Sequence, residues 1–171
     1  MDIYMVVLRI LHIVAGVFWV GAAVFLTLFV APTARELGPA GGPFVAHLSG
    51  KKRVTDVILT AAAITIVAGA LMYWRVSNGL AADWIGSAQG IWLTVGALAG
   101  IVAFVIGLSV VRPTTHAMLA LGREIAAGGG PPTSEQAATQ QALQARARAT
   151  GRVIVPLLVV AVAAMAGAQY L

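Results

Sequence analysis

His12 sits inside a long apolar run, where an ionisable side chain is costly and as a rule faces neighbouring helices or a water-filled cavity. On a helix, Gly16 and Trp19 stand four and seven residues further along the same face, so the glycine removes side-chain bulk beside the imidazole. The edge of a flat macrocycle would fit such a notch. Arg9, one turn before His12, is placed to meet a propionate or another anion. Haem iron in a helical bundle takes axial imidazole or thioether ligands from facing helices, and the chain offers only two further histidines, His47 and His116. Met72 and Met165 are the thioethers expected in the layer of His12, so one haem b held by His12 with either of them is the first chemistry these residues allow. A copper site drawing on His12, Met5 and Met72 is a second. The third needs no cofactor: His12 hydrogen-bonds to a neighbouring helix, as polar groups in membrane bundles commonly do.

What must hold these residues is legible in the hydropathy. Four apolar blocks run from about Leu8 to Ala31, Val54 to Trp74, Ile91 to Val111 and Val153 to Tyr170. Each is close to the roughly 20 residues that a helix rising about 1.5 Å per residue needs to span about 30 Å of hydrocarbon. Composition agrees, with 60% hydrophobic and 10% charged residues, against about 25% charged in soluble domains. The expectation is a single membrane domain over residues 1–171, all-α, built as a four-helix bundle whose first partner is the lipid bilayer. The absence of cysteine removes disulfides, thiolate metal sites and cysteine nucleophiles. No hydrolytic triad, paired carboxylates or dinucleotide motif is present, and Gly50-Lys51-Lys52 lacks the first glycine and the hydroxyl residue of a phosphate loop, so the balance is against an enzyme.

Charge sets an orientation. Nine basic residues lie in the first and third loops (Arg35, Lys51, Lys52, Arg53; Arg112, Arg123, Arg146, Arg148, Arg152) and two, Arg9 and Arg75, lie on the other side. The positive-inside rule then makes loops 1 and 3 cytoplasmic and puts both termini outside, as in a multi-pass protein of the plasma (inner) membrane. Tyr4, Tyr73, Trp74, Trp84, Trp92 and Tyr170 all fall at the ends this topology places on the outer interface, where such rings favour the headgroup layer. This distribution also accounts for the net charge of +5 without nucleic acid. The first block is too long for a cleaved signal peptide and runs into Ala31-Pro32, so it stays as a helix.

Between the spans, Gly38 to Pro43 breaks the chain and Phe44 to Leu48 forms a short interfacial turn. Asp56, in the first turn of the second helix, is stabilised there by the helix dipole and by Arg53 and Lys52. Residues 114–127 read as a continuation of the third helix, ended by Gly128-Gly129-Gly130-Pro131-Pro132. Thr133 stands in capping-box register with Gln136 and opens a polar helix over 134–151 that runs toward the fourth span. Together these make a cytoplasmic helical hairpin laid on the headgroups between helices 3 and 4. Gly96-x-x-x-Gly100 and Ala163-x-x-x-Gly167 are candidate close-packing seams within the bundle.

The stretch Leu11-His12-Ile13-Val14-Ala15-Gly16-Val17-Phe18-Trp19-Val20-Gly21, with Ala31-Pro32 after it, resembles the first helix of CopD-like membrane proteins and of small integral membrane proteins of unknown function related to them. It is distantly similar to HemJ-type membrane proteins, which bind haem b. The resemblance is clearest over Leu8 to Pro32. It implies a helical membrane fold, copper handling or haem b as the associated chemistry, and His12 as the one residue that carries over as a ligand. HemJ-type proteins also use a lysine in a later helix; here the only lysines are Lys51 and Lys52, in a loop, so their oxidase activity does not carry over. Three expectations stand: a haem b protein with a redox or electron-transfer role, a copper uptake or resistance protein, and a cofactor-free accessory or assembly subunit that works with other membrane subunits.

Overall fold

A computed structural model of the chain describes residues 2–171, and every regular element among them is helical. Four helices are long and apolar enough to cross a membrane: α1 (Ile3–Glu36), α2 (Val54–Val76), α3 (Ala88–Ala127) and α4 (Ser134–Tyr170). All four exceed the apolar blocks that mark them. Hydropathy marks only the stretch that avoids water, whereas the backbone stays helical into polar sequence until a breaker is met. Residues 114–127 and 134–151 are accordingly parts of α3 and α4 rather than separate helices.

The prolines leave a signature that hydropathy does not show. Pro32 and Pro113 lack an N–H, and their rings crowd the carbonyl four residues back. Just ahead of each, the helix widens into a single π-helical turn, Leu26–Val30 and Gly107–Val111, closed by Ala31 N–H to the Leu26 carbonyl and Arg112 N–H to the Gly107 carbonyl. A third such turn, His47–Lys51, succeeds the short helix Gly41–Ala46 in the first connection.

α1 packs along α2 and α3 along α4, and the two pairs meet chiefly through α2 and α3. Trp19, Ile58, Ala62, Ala103, Ile154 and Leu158 form a core to which all four helices contribute. Further along the α3–α4 pair small residues take over. A Cβ on Gly96 would stand 3.1 Å from the Ala161 carbonyl oxygen and 2.9 Å from Met165 Cγ, and Gly167 lies against the Trp92 ring. The buried seam on α4 is Ala161, Ala164 and Ala168. Ala163 is exposed, so of the Ala163-x-x-x-Gly167 pair only the glycine is in the seam.

The two ends of the molecule differ in character. At one, the Tyr73 hydroxyl donates to Thr94 Oγ1 at 2.6 Å, because that oxygen's own proton goes to the Gly90 carbonyl, and the Tyr73 ring meets Trp84 edge-on at 5.3 Å. At the other, Asp56 accepts from Arg53 Nε at 3.3 Å and from Arg112 Nε at 3.0 Å. The second cation on Asp56 is thus Arg112 from α3 rather than the neighbouring Lys52. Beyond this end the polar extensions of α3 and α4 touch, with the Gln136 amide donating to Glu124 at 3.0 Å. Both hydrogen bonds of the Thr133–Gln136 capping box are present.

Candidate functional site

His12 faces α2. Its Nδ1 lies 2.8 Å from the backbone carbonyl oxygen of Thr65. A carbonyl can only accept, so Nδ1 carries a proton, and in the neutral ring it is then Nε2 that keeps the lone pair. The ring lies over Gly69, where a Cβ would stand 2.9 Å from both Cε1 and Nδ1 of the imidazole. Thr65 is itself buried, and its hydroxyl donates to the Ala61 carbonyl at 2.8 Å. One turn along α1, a Cβ on Gly16 would come within 3.3 Å of Thr65 Cγ2. Two glycines on opposite helices, Gly16 and Gly69, thus let α1 and α2 close on the imidazole and the threonine.

This corrects the sequence reading of the notch. Gly16 does share the His12 face, but the space it frees is taken by Thr65, and the glycine that makes room for the imidazole is Gly69 on the facing helix. Thr65-x-x-x-Gly69 is a small-x-x-x-small pattern that would have signalled a close approach on α2, although not which residue of α1 lies opposite. Thr65 was not anticipated as the partner of His12, because any backbone carbonyl on a facing helix can accept.

The other candidate residues are dispersed. Trp19 is 6% exposed and belongs to the core with Ile58 and Ala62. Met165 is packed against Gly96 in the α3–α4 seam. Met72 is half-buried, three residues beyond Gly69 on α2, and Met5 is half-buried on α1. Arg9 is exposed and forms no ion pair among the described residues; it is Arg75 that approaches a carboxylate near the chain start, at 3.9 Å from Asp2. His47 and His116 are exposed, on the first connection and on the polar extension of α3. No group of three or more His, Asp or Glu side chains capable of holding a metal occurs among the described residues.

His12 is thus a single imidazole tied through Nδ1 to a carbonyl, an arrangement that in neutral histidine ligands leaves Nε2 for a metal. The Met165 thioether is engaged elsewhere, and Met72 stands on the helix against which His12 already leans. Two open surface concavities are present, one lined by Trp74, Arg75, Asn78 and Gly79 and one by residues that include Phe25 and Phe29, and His12 lines neither. Comparisons with protein-family models, curated proteins and solved structures found no match.

Proposed function

We propose that this chain is a multi-pass membrane protein in which Nε2 of His12 is a ligand to one haem b, in a redox or electron-transfer role. Membrane insertion is supported by the outward face of α1, where Val14 and Val17 are 65% and 69% exposed and apolar residues continue around them, a surface suited to hydrocarbon rather than water. The charge bias supports a cytoplasmic Asp56 end, with the extensions of α3 and α4 as a cytoplasmic hairpin. The resemblance of Leu8 to Pro32 to CopD-like and HemJ-type helices points the same way.

The observation that carries ligation is the Nδ1–H···O=C bond from His12 to Thr65. It holds the ring, selects the tautomer and strengthens Nε2 as a donor. Gly69 admits the ring and Thr65 holds it, while Arg9 supplies the cation nearest along α1 for an acidic edge of the ligand. A bound haem b would supply one-electron chemistry there. Absorbance of the purified protein tests this: a Soret band is expected that His12→Ala abolishes and His47→Ala and His116→Ala leave intact. Protein produced with ample haem and lacking that band would refute it.

A second reading is favoured by a specific observation, the filling of the Gly69 notch by the imidazole and of the Gly16 notch by Thr65. In that reading the hydrogen bond is the whole role of His12, and the chain is a cofactor-free accessory or assembly subunit of a membrane complex. Copper on His12 with Met5 or Met72 is the remaining metal alternative, and elemental analysis of protein without a Soret band separates it from the cofactor-free subunit.

A further inference from the structure

Pro32 follows the π-helical turn at Leu26–Val30, and past the end of α1 the chain folds back on the last turn of that helix, Ala31–Glu36. Gly38 adopts φ +56°, a left-handed conformation that suits glycine, and reverses the chain direction. Gly41 then packs directly on the Ala34 carbonyl, so closely that a Cβ there would overlap the backbone. This return lays the helix Gly41–Ala46 beside α1 and leaves a groove of about 260 Å³ lined by Phe25, Phe29, Val30, Thr33, Leu37 and Phe44, with Ala34 at its base. The lining is almost wholly apolar, and Phe25 and Phe29 stand with ring centroids 5.7 Å apart along one wall. Widened turns of this kind recur at binding sites.

Two facts say what covers the groove. It sits where the apolar stretch of α1 gives way to the basic first connection, so the medium in contact with it is the headgroup–acyl boundary of a leaflet; this rests on the membrane insertion proposed above but not on the His12 ligand. The same connection carries Arg35, Lys51, Lys52 and Arg53 against a single acid, Glu36. Arg53 is engaged by Asp56, whereas Arg35, Lys51 and Lys52 pair with no carboxylate among the described residues. Arg35 springs from the turn between Ala34 and Leu37, both in the groove wall. An apolar slot with the unpaired cation Arg35 beside it, in a connection that also carries Lys51 and Lys52, is complementary to an acyl chain attached to a phosphate.

We infer that this groove seats one acyl chain of an anionic phospholipid, with Arg35, Lys51 and Lys52 holding the headgroup. The probe is the full chain reconstituted into nanodiscs of mixed phosphatidylcholine and phosphatidylglycerol, released into detergent and weighed by native mass spectrometry. Wild-type protein should retain phosphatidylglycerol. Thr33→Trp, which fills the slot, should retain roughly tenfold less, while Val17→Trp, on the outward face of the same helix, should match wild type. Phe29→Ala, which removes a wall without adding bulk, provides a second route to the same loss. The double variant Lys51→Gln, Lys52→Gln should keep a lipid but lose the preference for phosphatidylglycerol. Retention unchanged in both Thr33→Trp and Phe29→Ala, or no lipid retained by wild type, would overturn the inference. Failure to enter nanodiscs at all would instead count against membrane insertion.

Discussion

The α1–α2 and α3–α4 pairs achieve the same close approach by different means. Within their apolar spans α3 and α4 meet through small and apolar residues: Gly96 against the Ala161 carbonyl and Met165, and Gly167 against Trp92. Between α1 and α2 the glycines are again present, yet the space they free receives an imidazole and a threonine joined by a 2.8 Å hydrogen bond. Within the apolar spans no side-chain hydrogen bond joins α3 to α4 among the described residues, so close packing does there without one. A histidine in the other pair adds a polar ring and an interhelical hydrogen bond to a contact that glycines already make close, and the proposed function gives that ring its use.

The largest effect should come from breaking the all-apolar pair. Gly96→Leu places its first carbon 3.1 Å from a backbone oxygen that cannot swing aside, so α3 and α4 must separate. We expect a loss of about 3 kcal/mol, the upper end for overpacking, read by an unfolding equilibrium in mixed micelles. Gly69→Ala should cost less, about 1–2 kcal/mol, because the group it strikes is an imidazole that can rotate away. That rotation breaks the bond to Thr65, so Gly69→Ala should also disturb any His12-dependent absorbance, which Gly96→Leu would reach only by unfolding the protein.

His12→Ala in the protein without ligand should cost about 1 kcal/mol, combining a membrane hydrogen bond worth about 0.6 kcal/mol with the void left at Gly69. A cost near zero would mean that the bond exists to orient the ring. Gly16→Ala is expected to fall within about 0.5 kcal/mol of wild type, since its 3.3 Å contact is with a methyl group and the gain in helix propensity offsets the crowding. Asp56→Asn should be comparably small, about 0.5 kcal/mol, because both arginines that reach it are exposed.

How much of this was legible in the sequence depends on where the information resides. The four long helices come from runs of apolar residues, and the capping box comes from two residues three apart; both are local patterns, and the structure contains both. The face shared by His12, Gly16 and Trp19 is likewise local. Its partner was hidden because the register between α1 and α2 is fixed by packing along their whole length, so neither Thr65 nor Gly69 can be paired with His12 from spacing alone. The same holds for Arg112, which reaches Asp56 across 56 positions of sequence, where the sequence reading chose the adjacent Lys52. The π-helical turns were signalled by Pro32 and Pro113, but a proline near a helix end is equally compatible with a plain kink.

The central claim is that His12 is held by Nδ1 so that Nε2 is available to a ligand. Nitrogen-15 NMR of histidine-labelled protein in lipid bilayers reads this directly, and with only three histidines His47→Gln and His116→Gln isolate the remaining signal. A protonated Nδ1 in a hydrogen bond follows from the contact with Thr65, and the proposed ligand role requires an Nε2 without a proton, shifted further when ligand is bound. A His12 signal with the proton on Nε2 and a bare Nδ1 would contradict it.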